Sequence, residues 1–100
     1  MAVTAAQLQR ELWTSWASML RVYAAAHGLT STRHAVVEVS ADEIILRVDP
    51  HWSRFTRTGM SSDTGAAALF ALNEDGTVTI GDQTEEMDLA AERVARAALS

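Results

Sequence analysis

The chain contains no cysteine, no lysine and a single proline. Without cysteine there is no disulfide framework, no thiolate nucleophile and no cysteine-based metal site. Without lysine, Schiff-base chemistry and P-loop chemistry are excluded, because both need the amine. Long apolar runs are also missing, and none approaches the roughly 20 residues of a membrane-spanning helix. The opening MAVTAAQLQRELW has no basic segment followed by an apolar one, so no signal peptide is expected. The cytoplasm is therefore the default expectation for location.

Basic residues are few, and the net charge is −5. Residues 1–33 carry three Arg and one Glu, residues 34–62 three Arg and four acids, and residues 63–100 two Arg and eight acids. Such a chain argues against a nucleic-acid partner, which usually meets a basic face. What is present is a hydrophobic content of 48% in 100 residues. That suits one α+β domain over residues 1–100, with a core that needs no metal or disulfide.

The spacing predicts a long helix from Thr4 to about His27. Thr4 and Gln7 form a capping-box pattern, and Leu8, Leu12, Trp16, Leu20 and Tyr23 recur at the period of one buried face. Gly28 stands where a left-handed cap is expected. Trp13 lies about 100° from Leu12 around the helix, which makes it a candidate for an intersubunit contact.

Ala35–Ser40 and Glu43–Asp49 read as a hairpin closed by Ala41 and Asp42. Counting outward sets Val39 against Ile44, Val37 against Leu46 and Ala35 against Val48, so one face is wholly apolar. Asp49 and Pro50 are a favoured cap and first helical residue, which predicts a short helix over 50–57 that ends at Gly59. A strand continued through a bulge is the competing reading, because His51 to Thr58 also alternates loosely. Gly59–Gly65 reads as an exposed loop. Ala67–Asn73 and Thr77–Ile80 form a second hairpin whose turn ends at Gly76, with Phe70, Leu72, Val78 and Ile80 facing the core. Thr84 to about Leu99 reads as the closing helix, with acids at its start and Arg93 and Arg96 near its end.

The expected architecture is thus α+β, with a long N-terminal helix, a four-stranded and mainly antiparallel sheet, a short middle helix and a C-terminal helix. The helices would lie on one sheet face. The opposite face would carry Val36, Ile45, Leu69 and Ala71 among polar residues. That is more apolar than a solvated face usually is. A second copy of the chain is the expected cover, since homodimers are the commonest soluble assembly. The interface candidates are therefore Val36, Ile45, Leu69, Ala71 and Trp13, and the expected role is assembly or protein binding.

Arg47, His51, Trp52, Arg54 and Arg57 form the one local basic and aromatic cluster. Guanidinium groups hold carboxylate or phosphate, and Trp52 offers a stacking surface. A small anionic or aromatic ligand is the alternative role. The ordinary structural reading is that Trp52 and Phe55 pack in the core while the arginines pair with acids. His34, Asp49 and His51 converge in the first hairpin register, but a cross-strand pair plus a cap accounts for them, so no metal or other cofactor is expected. Catalysis has little support. Ser53 near His51 is not read as a catalytic pair, on the expectation that their side chains point apart. No glycine-rich phosphate loop occurs.

Overall fold

The computed structural model describes residues 4–29 and 32–100. Helix α1 spans Ala5–Gly28. Seven strands follow: β1 (Val36–Val39), β2 (Glu43–Val48), β3 (His51–Thr56), β4 (Gly59–Ser62), β5 (Ala67–Leu72), β6 (Thr77–Ile80) and β7 (Gln83–Glu86). Helix α2 (Met87–Leu99) closes the chain. The strands form one open antiparallel sheet in the order β1 to β7, each paired with its neighbour in sequence.

Seven strands replace the four expected, and there is no middle helix. Asp49 and Pro50 do not start a helix. They are the two residues between Val48 and His51, which face each other across β2 and β3, and the Asp49–Pro50 peptide is cis. Trp, Phe and Thr favour a pleated strand, and Trp52 and Phe55 therefore point to opposite faces instead of sharing one. Gly59–Ser62, expected as loop, pairs with both β3 and β5. Gln83–Glu86, with residues 84–86 expected to open the closing helix, pairs with β6 instead. The hairpin there is closed by Gly81 and Asp82, with Gly81 at φ +66°, a conformation that glycine adopts without steric cost.

The other elements follow from local chemistry. Gln7 N–H donates to Thr4 Oγ1 at 3.1 Å and Thr4 N–H donates to Gln7 Oε1 at 3.1 Å, which completes the capping box. The far end differs from expectation: Leu29 caps α1 in right-handed helical conformation at φ −61°, so Gly28 supplies no left-handed cap. Thr30 and Ser31, between α1 and β1, lie outside the described residues. The first hairpin has the expected register, with Val39 opposite Ile44 and Val37 opposite Leu46. So does the second, with Phe70 opposite Ile80 and Leu72 opposite Val78.

Both helices lie on one sheet face and pack against each other. The centre of the core is Trp16 of α1 against Phe55 and Phe70, with ring centroids 5.4 and 5.5 Å away, and 5.1 Å between the two phenyl rings. Each such side chain stabilises by about 1.5–3 kcal/mol through burial. The ring pairs add about 0.5–1.5 kcal/mol. Among the described residues, buried Trp16 Nε1 has no hydrogen-bond partner, which offsets about 1–3 kcal/mol of that gain. Ala90, Ala91 and Ala95 let α2 approach the sheet closely, and Ala95 joins Ala24 and Leu46 in a second cluster. No helix among the described residues is long and apolar enough to cross a membrane.

Candidate functional site: an uncovered sheet face and a cleft under the closing helix

Alternation along the strands sends Val36, Ile45, Trp52, Leu69 and Ala71 to the sheet face away from the helices. Neighbouring strands place Arg47 opposite Val36 and Trp52, and Ile45 opposite Glu38 and Arg54. Val36 is 52% exposed and Leu69 72%. The charges on this part of the face are paired within the chain. Arg47 Nη1 lies 2.7 Å from Glu38 Oε1, and Arg54 Nε lies 2.6 Å from Glu43 Oε2. Towards β6 and β7 the same face becomes a polar ladder: Asn73 Nδ2 donates to Thr79 Oγ1 at 3.0 Å, and Thr79 and Thr84 hydroxyls lie 2.8 Å apart. Trp13, expected at an intersubunit contact, is buried within the chain. Its Nε1–H donates to Ser40 O at 2.8 Å.

The arginine and aromatic segment does not converge. Arg47, Trp52 and Arg54 lie on the uncovered face, whereas His51 lies on the helix side and Arg57 follows the end of β3. Arg57 donates from Nε and Nη2 to Ala41 O, at 3.2 and 2.8 Å, and its guanidinium sits 4.2 Å from the centre of the Trp13 ring. That arginine fastens the first hairpin turn to α1. A helix would have placed Arg54 and Arg57 on one side, but a strand and its turn separate them.

On the helix side the structure holds a cleft of about 500 Å³ between β2–β4 and the last two turns of α2. It exists because the inward residues there are small. The row across the sheet runs Leu46, Ser53, Ser62, and Ala97 and Ala98 face it from the helix. Beneath them lie Val48, Met60 and Val94. Asp63 ties the rim together. Its Oδ2 lies 2.7 Å from His51 Nδ1, and its Oδ1 accepts from Trp52 N–H at 3.0 Å. These contacts, His51 first, hold the Asp63 carboxyl below its ordinary value. A carboxylate only accepts, so the proton in this contact belongs to His51 Nδ1, and Nε2 makes no hydrogen bond among the described residues. Ser62 Oγ lies 2.7 Å from Thr64 Oγ1. Among the described residues the Ser53 hydroxyl makes no hydrogen bond, and it shares the inner face with His51 two residues earlier, contrary to the expectation that the two diverge.

His51 therefore pairs with Asp63 and not with Asp49. Among the described residues no three His, Asp or Glu side chains are grouped as a metal would require. Reading residues 59–65 as a loop hid Ser62 and Asp63 as partners of β3. The strand-forming character of HWSRFT was the available signal for their placement.

No protein-family model matches the chain, and neither curated proteins nor solved structures yielded a match.

Proposed function

We propose that this chain is an assembly module that pairs with a second copy of itself through the sheet face the helices leave uncovered. The observation that carries this reading is a patch of that face, over β1 to β5, that is both apolar and electrically neutral. Val36, Ile45, Trp52 and Leu69 stand on it, and its two arginines are each matched by a glutamate of the same chain. The whole chain carries −5, so most surfaces would repel a second copy, whereas this patch adds no net charge to the contact. A two-fold pairing also lets Glu38–Arg47 and Glu43–Arg54 exchange partners between copies, and it buries the same patch on both.

Size-exclusion chromatography with light scattering tests the proposal. A mass of twice the 10.8 kDa of one chain is expected. Leu69→Arg and Ile45→Glu should return the protein to one chain without loss of helix signal. A single-chain mass for the unaltered protein at about 1 mM, the weakest affinity worth calling specific here, overturns it.

A further inference from the structure

We propose that the cleft beneath α2 is a binding site for a small amphipathic carboxylic acid, with its apolar body on Val48, Met60 and Val94 and its carboxylate at Ser53, His51 and Arg93. The site lies on the sheet face opposite the assembly surface and does not depend on it. Ligand pockets are commonly about 300–1,000 Å³, mostly apolar, with a few convergent polar groups. This cleft has about 500 Å³ and that composition.

The polar groups select the head group. Ser53 offers a hydroxyl without a partner, aimed to the helix side by strand alternation. His51 is oriented through Nδ1 by Asp63 at 2.7 Å, an arrangement that fixes the ring and presents the other nitrogen. Arg93 uses Nε and Nη2 on a single oxygen of Glu85. A guanidinium has five N–H donors, so donors remain for a second carboxylate. The one acidic side chain lining the cleft, Asp63, has both oxygens engaged and offers little to a cationic ligand. The carbonyl end of α2 opposes an anion with about half a unit charge. Against it stand two guanidinium groups on the cleft wall, Arg93, whose charge is shared with Glu85, and Arg33.

Decanoate is the probe, added to the full chain and followed by amide chemical shifts. Saturable shifts are expected at Ser53, Ser62, Asp63 and Ala97, with decylamine and acetate producing none. Arg93→Gln should weaken decanoate binding about tenfold, equivalent to ~1.4 kcal/mol, and Ala97→Trp, at an exposed helix position, should block it. Equal shifts with decylamine overturn the proposal, because the head group is then not read. Decanoate shifts at Ile45 and Leu69 without shifts in the cleft also overturn it, as does the absence of saturation by about 5 mM. The readout is independent of chain mass, so failure here leaves the assembly reading standing, and the reverse holds too.

Discussion

Two ends of the same inner sheet face are built differently. Around Phe55 the sheet is filled: Trp16, Phe55 and Phe70 meet with centroids 5.1–5.5 Å apart, and none is more than 2% exposed. Around Ser53 it is open, with a cleft of about 500 Å³ beneath alanines of α2. Ser53 and Phe55 are two residues apart on one strand, so they are about 7 Å apart along it. Trp16 of α1 covers the filled end, whereas the cleft is roofed by small residues of α2. The contrast separates the part of the molecule that holds the fold from the part with room to bind something.

The largest expected effect lies at the filled end. Phe55→Ala should lower unfolding free energy by about 3–5 kcal/mol, from lost transfer energy plus the cavity left behind. Total stability for a domain of this kind is about 5–15 kcal/mol, so this variant could unfold outright. Phe55→Leu, at under about 1.5 kcal/mol for a near volume-conserving change, keeps the comparison measurable by urea denaturation. A loss near zero for Phe55→Ala would mean that the filled end is not the centre of stability.

The contrast between the ends was only half legible in the sequence. Both hairpins with apolar faces were readable because period-two alternation and a tight turn together define a register. The capping box at Thr4 was readable for the same local reason. The three unexpected strands share a different cause. Asp49-Pro50 is equally good chemistry for a helix start and for a turn, and only the pairing of His51 with Val48 decides between them. Gly59–Ser62 has no apolar side chain except Met60, so nothing local marks it as a strand; its neighbours on both sides hold it there. Gly81-Asp82 is a hairpin dipeptide by type, but the acids that follow suit a helix N-terminus equally well. The cleft was illegible because it depends on β3 and β4 being adjacent, which no local pattern states.

Filling the open end should have the opposite sign to emptying the full one. Ser53→Val replaces an unpaired hydroxyl with a β-branched side chain on a strand, a change whose propensity scale spans about 1 kcal/mol. A gain of up to about 1 kcal/mol in urea denaturation is expected, together with loss of decanoate shifts in the cleft. A loss of that size instead would show that Ser53 is already well packed, and the two ends would then not differ.

The smallest effect concerns the rim, and its sign is set by charge. Contact with His51, then with the Trp52 amide, lowers the Asp63 pKa from 3.8. A carboxyl whose folded value is depressed stabilises the fold above its unfolded value, and that stabilisation is lost as pH falls through the folded value. Asp63→Asn should therefore lower the melting temperature, and the difference from the unaltered protein should close as pH drops below 3.8. Asp75 supplies the control. Its carboxyl is also lowered, by the Thr77 hydroxyl and amide in the turn between β5 and β6, away from the cleft. Asp75→Asn should show the same closing of the difference in acid while leaving decanoate binding intact, because only Asp63 orients a group that faces the ligand. If the two variants affect decanoate equally, Asp63 acts through general stability, and the open end has no organised rim.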